Sequence, residues 1–152
     1  PAWMLEAFAT RLQEHTSLRC RLGAEGDLVA PGQLHLAPGE RHMIVEGATP
    51  RIRLVDSPAE NWVRPAADPL LVSVARLFGP SAIAVVLTGL GRDGTVGASE
   101  IARAGGRVLV QTPGTAVAPS MPKSVIEAGV PCTIEGIEGT ARGAARRGPW
   151  RR

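Results

Sequence analysis

The sequence has no tyrosine, only two cysteines, only one lysine, and no apolar run as long as a membrane span. Two Phe and three Trp are its only aromatic residues, which argues against a base-stacking surface for single-stranded nucleic acid. Cys20 and Cys132 are too few for a disulfide framework and lack the CxxC spacing of a zinc site. Residues 1–19 do not resemble a signal peptide, so we expect no membrane insertion and a cytoplasmic location.

What is present fits one soluble globular domain, since the 152 residues are 44% hydrophobic and 20% charged. Residues 141–152 contain five arginines and no acidic residue, which leaves 12 of the 17 basic residues and all 14 acidic residues in 1–140. Arginine outnumbers lysine sixteen to one throughout. We therefore interpret 1–140 as the domain and 141–152 as a basic, disordered tail that reflects composition rather than nucleic-acid binding.

The first part of the chain predicts a helix followed by short strands. Apolar residues at helical spacing predict an amphipathic helix over Leu5–Gln13. Leu18, Cys20 and Leu22 alternate with arginine and predict a half-buried strand. Three more strand candidates are separated by turns that contain glycine or proline, and they predict a small antiparallel excursion: Gln33–Ala37, His42–Glu46 and Ile52–Val55.

From residue 65 the pattern predicts alternating helices and strands. Asp68 is a candidate N-cap with Pro69 at the first helical position, and Gly79-Pro80 ends that helix. The apolar run Ile83–Leu87 predicts a strand buried on both faces of a parallel sheet. A loop, a helix and a strand then complete a βαβ unit: 88–97, Ala98–Ala104 and Val108–Val110. The pattern therefore predicts an α/β fold with a parallel sheet.

The loop TGLGRDGTVG is the candidate site, because functional groups of parallel sheets gather at the carboxyl ends of strands. Its glycines match GxGxxG, but residues 109–114 lack the acidic residue of a dinucleotide site, and no Gly-Lys-Ser/Thr follows. Spacing alone leaves two interpretations of Asp93 open. It orients a histidine in a hydrolase triad beside amides that form an oxyanion hole, or it caps the following helix.

Several motifs that occur in order across residues 1–130 carry a family resemblance: PAWMLEAFATRL, LAPGERHMIV, WVRPAADPLLVSVARLFG, LTGLGRDGTVG, AGGRVLVQ and AVAPSMPKSVIEAG. Together they resemble the catalytic domain of the CheB-type chemotaxis protein-glutamate methylesterase family. The fold that this resemblance implies is a three-layer, doubly wound, mainly parallel α/β sheet with a small antiparallel excursion, of which the first strands are missing. The resemblance implies hydrolysis of glutamyl methyl esters on chemoreceptors in bacterial chemotaxis, with glutamine deamidation as a second reaction. Methylated chemoreceptor helices are the implied partners, and a receiver domain often precedes this domain in the family. No cofactor, metal or nucleic acid is implied.

The resemblance also assigns roles to residues of the loop. Asp93 matches the triad aspartate of the family. Leu90, between Gly89 and Gly91, matches a position that is usually methionine and whose backbone N–H helps to form the oxyanion hole. A leucine is compatible with this role because the amide, not the side chain, is used. Arg92 either favours acidic receptor helices or is an ordinary surface residue.

Two triad members of the family match no residue of this sequence. The nucleophilic serine, in a GASTGG-like turn, and the base histidine, in a QHMPxxF-like motif, would lie before Pro1. His42 matches another histidine of the family, which is not the base, and we interpret it as packed or hydrogen-bonded. We therefore expect an N-terminally incomplete domain that lacks its first strands, exposes an apolar edge at Ile83–Leu87 and is inactive by itself. The alternative is a catalytically inactive, receptor-binding remnant.

Overall fold

The computed structural model describes residues 2–145. Within this range the helices are α1 (Ala2–Glu14), α2 (Ala67–Phe78), α3 (Thr95–Arg103), α4 (Ser120–Glu127) and α5 (Ile137–Ala145). The strands are β1 (Arg19–Leu22), β2 (Gln33–Leu36), β3 (His42–Glu46), β4 (Arg51–Val55), β5 (Ile83–Val86), β6 (Arg107–Gln111) and β7 (Thr133–Glu135). None of the helices in this range has the length and apolar character that crossing a bilayer requires.

Strands β5, β6 and β7 form a parallel sheet in that order, with β6 in the centre. Alternate side chains of β5 and β6 pack on one face against Ala98 and Ile101 of α3 and Val125 of α4. Leu109 points to the other face, where α5 covers it near Gly143. Helices on both faces of a mainly parallel sheet confirm the predicted three-layer α/β fold.

Strand β5 is buried on one face rather than on the two that its apolar run predicts. Ala84 and Val86 are 1% and 4% exposed, whereas Val85 and Leu87 are 42% and 39% exposed. The reason is that β5 is the edge strand of the described sheet, and Val85 lies on the face that α5 covers only in part. The apolar run is therefore partly open to solvent.

The antiparallel excursion contains two of the three predicted strands. Strands β3 and β4 form a hairpin, joined by a short turn over residues 47–50. Strand β2 instead pairs in parallel with β1, with Arg19 opposite Gln33 and Leu22 opposite Leu36. Ten residues separate β1 from β2, and this connection returns the chain so that β2 runs in the same direction as β1.

The structure differs from the prediction at the start of α2 and at the boundary of the predicted tail. Helix α2 starts at Ala67, so Asp68 lies in its first turn and is not its N-cap; the N-cap residue Ala66 has no side-chain acceptor. At the other end of the chain, α5 continues to Ala145, so the first five residues of the predicted tail are helical. Residues 146–152 of that tail lie outside the described residues.

Candidate active site

Asp93 lies in the loop between β5 and α3, and its carboxylate binds backbone amides from two helices. Oδ2 accepts a 2.6 Å hydrogen bond from the N–H of Ala67. Oδ1 accepts from the N–H of Asp68 at 3.2 Å and from the N–H of Gly94 at 3.0 Å. Gly94 is the N-cap residue of α3 and has φ +86°, a conformation that favours glycine. Asp93 therefore joins the N-terminus of α2 to the entry of α3.

This geometry corrects the interpretation that Asp93 caps the following helix: the N-cap of α3 is Gly94, which has no side-chain cap bond, and the Asp93 carboxylate caps α2 instead. The same geometry is compatible with a triad role. The amides of Ala67 and Asp68 are two of the N-terminal donors that α2 itself leaves unpaired, and Asp93 supplies their acceptor from a different segment of the chain. An ionised carboxylate has about four acceptor sites. Within residues 2–145, Oδ2 has Ala67 N–H as its single donor, so it retains capacity for one further donor such as an imidazole N–H.

Asn61 is a site residue that the sequence analysis missed. Its Nδ2 donates to Oδ2 of Asp68 at 2.9 Å and to Oδ1 of Asp93 at 3.4 Å. Asp68 is 3% exposed, and its Oδ1 accepts from the N–H of Gly97 at 2.7 Å. The two carboxylates are thus bridged by one amide group. The sequence gives no local signal for this bridge, because Asn61 and Asp93 lie 32 positions apart.

The peptide groups around Leu90 are held by the segment that leads into α4. Ser120 Oγ accepts from the N–H of Gly91 at 3.1 Å and donates to the carbonyl of Gly89 at 3.1 Å. Gly89 N–H donates to the carbonyl of Ala118 at 2.9 Å. Leu90 is 83% exposed, and no acceptor within residues 2–145 binds its N–H. This amide is therefore fixed on both sides and available to a ligand.

The start of the same loop is held by Gln111, the last residue of β6. Gln111 is 2% exposed; its Oε1 accepts from the N–H of Thr88 at 2.8 Å, and its Nε2 donates to the carbonyl of Thr115 at 3.1 Å. Thr88 Oγ1 in turn accepts from the N–H of Ala118 at 2.8 Å. These bonds connect the carboxyl ends of β5 and β6, as expected for a site at this edge of the sheet.

His42 is a buried structural residue, as interpreted from the sequence. It is completely buried, its Nδ1 accepts from the N–H of Ala66 at 3.1 Å, and its Nε2 lies 3.0 Å from the carbonyl oxygen of Pro58. Because Nδ1 is an acceptor, Nε2 carries the proton and donates. His42 thereby holds both ends of the segment 58–66, which carries Asn61 and leads into α2.

No serine hydroxyl is hydrogen-bonded to a histidine among the described residues, so they contain no nucleophile–base pair. Ser124 Oγ donates to the carbonyl of Met121 at 2.8 Å and lies 2.7 Å from Thr95 Oγ1. His35 lies in β2 with its Nε2 3.0 Å from Gln33 Oε1, and His15 follows α1 and is exposed. The structure brings together Gly89, Leu90, Gly91 and Asp93 on one loop.

Comparison with known proteins places this chain in a defined family. A family model described as CheB methylesterase matches residues 1–141. A Pyrococcus abyssi protein named protein-glutamate methylesterase/protein-glutamine glutaminase is 39% identical over 132 residues, which cover 86% of this chain and 36% of that protein. A protein of the same name, number 3, from Geobacter sulfurreducens is 38% identical over 149 residues, covering 97% of this chain and 40% of that protein. The chain thus spans well under half the length of these relatives.

The fold comparison agrees with the sequence comparison. The crystal structure of the Thermotoga maritima CheB methylesterase catalytic domain matches with a TM-score of 0.85 and 35% identity. The match covers 90% of this chain and 73% of that domain. Because the family model matches nearly the whole chain and a solved member shares its fold, the chain belongs to the CheB methylesterase family.

Proposed function

We propose that this chain supplies the aspartate and the oxyanion loop of a protein-glutamate methylesterase that acts on methylated chemoreceptor helices in the cytoplasm. The observation that carries the proposal is the joint geometry of one loop. Asp93 Oδ2 has room for one more donor, and three residues earlier the exposed Leu90 presents a backbone N–H that no described residue occupies. The names of the relatives supply the reaction class.

In this proposal Asp93 acts through a histidine that these 152 residues do not provide. Asp93 Oδ2 accepts the N–H of the imidazole and holds the ring so that its other nitrogen faces a serine hydroxyl. The imidazole removes the serine proton as the serine oxygen attacks the ester carbonyl. Negative charge then develops on the carbonyl oxygen, where the Leu90 N–H donates to it.

The tetrahedral intermediate collapses when the bond to the methoxy group breaks. The imidazolium returns its proton to this group, and methanol leaves. Water, deprotonated by the same imidazole, then hydrolyses the acyl-enzyme to a glutamate side chain and free serine. A glutamine side chain passes through the same acyl-enzyme with ammonia as the leaving group, so one site accommodates the two reactions in the names of the relatives.

The test is an Asp93→Asn substitution in the native protein that contains this chain, assayed by methanol release from a methylated receptor. Loss of the charge that stabilises the imidazolium is expected to lower kcat by about 10³–10⁴-fold, with a much smaller change in KM. Because Asp93 also binds three backbone amides at the starts of α2 and α3, the comparison is made at a temperature at which circular dichroism shows the variant to be folded. Asp56→Asn is the matched control, because the Asp56 side chain is 78% exposed and pairs only with Arg64 among the described residues. Methanol release by Asp93→Asn at the unmodified rate would refute the proposal.

The isolated 152 residues provide a second comparison. We propose that they release no methanol, because the sequence provides neither the serine nor the histidine that the mechanism uses. Binding of methylated receptor by this chain without turnover is the behaviour of the alternative, a receptor-binding remnant. Turnover by the isolated chain would show that another nucleophile operates.

A further inference from the structure

Trp62 occupies a tight turn in which a bulky residue is unfavourable. Glu60 and Val63 exchange two backbone hydrogen bonds, of 3.1 Å and 3.0 Å, around the central residues Asn61 and Trp62. Asn61 has φ +51° and Trp62 has φ +67°. Two-residue turns of this kind favour Asn-Gly, because both central residues take the left-handed conformation. The turn geometry therefore explains Asn61 and disfavours Trp62.

Packing within the described chain does not explain the tryptophan either. Trp62 is 100% exposed, and the neighbouring Val63 is 43% exposed. An indole has one of the largest apolar surfaces of any side chain, and this one contributes none of it to the folded core. Ligand binding explains a fully exposed aromatic residue on an unfavourable backbone, because burying the ring against the ligand supplies binding free energy.

The turn adjoins the candidate active site directly. Asn61, next to Trp62, donates to the Asp93 carboxylate at 3.4 Å. Beside the turn lies a cleft of about 380 Å³, lined by Glu60, Asn61, Asp68, Pro69, Val72 and Val96. Val96 is 52% exposed and lies three residues after Asp93. The cleft thus has an apolar part, formed by Pro69, Val72 and Val96, and it reaches the turn that carries Trp62 at Glu60 and Asn61.

We propose that Trp62 and this cleft bind the polypeptide segment that flanks the glutamyl methyl ester of the substrate. This inference rests on the proposed function, in which the substrate is a protein rather than a free ester. An apolar side chain of that segment enters the cleft beside Val96, and the indole packs over it. Asn61 connects this contact to Asp93, so the segment is held while its ester lies at the Leu90 amide. Such contacts away from the reacting bond improve recognition of a protein substrate over a small ester.

The test is Trp62→Gly, which introduces the residue that the turn itself prefers and therefore preserves the fold. Two substrates are compared in the native protein: an amphipathic helical peptide with one glutamyl methyl ester, and N-acetyl-glutamate γ-methyl ester methylamide. We expect kcat/KM for the peptide to fall about tenfold or more, chiefly through KM, with the small ester unchanged. Trp62→Phe, which keeps an aromatic ring, is expected to recover most of the peptide activity.

Equal losses on the two substrates, or no loss on the peptide, would overturn the docking role. Failure of the proposed function is a separate result, since the unmodified protein would then hydrolyse neither substrate. In that case the docking site is tested by binding alone, through the dissociation constant of the fluorescently labelled peptide. Weaker binding by Trp62→Gly than by the unmodified protein supports the docking site, and equal binding overturns it.

Discussion

At the scale of single residues, Ser120 helps to fix the Leu90 amide, together with the N–H of Met121, which donates to the carbonyl of Gly89 at 3.1 Å. The Ser120 hydroxyl joins the carbonyl of Gly89 to the N–H of Gly91, so the two peptide groups that flank Leu90 are anchored to the start of α4. An oxyanion donor is effective only when it is fixed before charge develops, because no reorganisation is then needed during the reaction. The side chain of Leu90 is not part of this arrangement.

We therefore predict that Ser120→Ala lowers kcat by about tenfold and leaves KM nearly unchanged, because it loosens a transition-state contact rather than a substrate contact. Ser124→Ala is the matched control, since Ser124 lies one turn further along α4 and bonds to Met121 and Thr95 instead. Steady-state hydrolysis of the small glutamyl ester measures the effect. The prediction fails if the two variants have the same kcat.

Sequence patterns identify the residues of the loop but not their supports. Asp93 and Leu90 stand in a distinctive motif after an apolar strand, so their positions can be predicted. Asn61, Gln111 and Ser120 contact the loop from segments that lie 23 to 32 positions away. Their side chains are common polar types, and only the folded chain shows which backbone groups they satisfy.

At the scale of elements, the cap of α2 shows why local helix rules failed at one position. Asp68 and Pro69 have the residue types of a helix start, but the chain places Asp68 inside the first turn and uses its carboxylate on Gly97 N–H. Asp93 then accepts from Ala67 and Asp68. Asp68, in α2, thus accepts from an amide of α3, and Asp93, just before α3, accepts from amides of α2. Neither segment alone predicts this pairing.

The contact between α2 and α3 depends on the absence of a side chain at Gly97. A Cβ atom at this buried position would collide with the Cβ of Leu71 in α2. We predict that Gly97→Ala lowers the free energy of unfolding by about 1–3 kcal/mol, the usual cost of overpacking. Gly114→Ala is the control, because nothing lies within 4 Å of its Cβ position. Urea denaturation of the two variants measures the difference, and equal midpoints would contradict the prediction.

The β1–β2 pair contains a histidine that makes stability depend on pH. Burial lowers the pKa of His35 below 6.5; the nearby Arg21 lowers it further, and Asp27 opposes the shift. The folded state therefore favours neutral His35, and its contribution to stability is complete above the unfolded pKa and is lost as pH falls through the folded pKa.

We predict that the melting temperature falls as the pH is lowered below 6.5, the ordinary pKa of histidine, and that His35→Gln reduces this fall, since the variant removes the titrating group. His15→Gln is the control, because His15 is exposed and follows α1. Thermal unfolding followed by circular dichroism is the measurement. A pH dependence that His35→Gln leaves unchanged would assign the effect to another group.

At the scale of the whole molecule, the sheet is unevenly covered. Helices α3 and α4 bury one face, and α5 covers Leu109 on the other while Val85 remains 42% exposed. The sequence predicts the layers, because alternating helices and strands permit few arrangements. The apolar run alone does not show that β5 lies at the edge of the described sheet, because such a run looks the same at the edge and in the centre; that expectation comes from the family resemblance, and the strand order agrees with it.

Val85 and Val86, which are adjacent in β5, provide a test of the uneven coverage of the sheet. We predict that Val85→Thr changes the free energy of unfolding by less than about 1 kcal/mol and reduces light scattering by the 152-residue chain, because it makes an open apolar position polar. Val86→Thr, at 4% exposure, is expected to cost about 1–3 kcal/mol, because it buries an added hydroxyl. Equal destabilisation by the two substitutions would mean that the face of Val85 is covered in solution.

The hydrogen bonds of Asp93 to the starts of two helices also affect how such a domain evolves. Because its carboxylate satisfies the amides of Ala67, Asp68 and Gly94, replacing it disturbs two helices whether or not any ester is hydrolysed. Selection for folding alone would therefore retain this aspartate in descendants that have lost turnover. In such lineages catalytic decay is expected first at positions that no helix depends on.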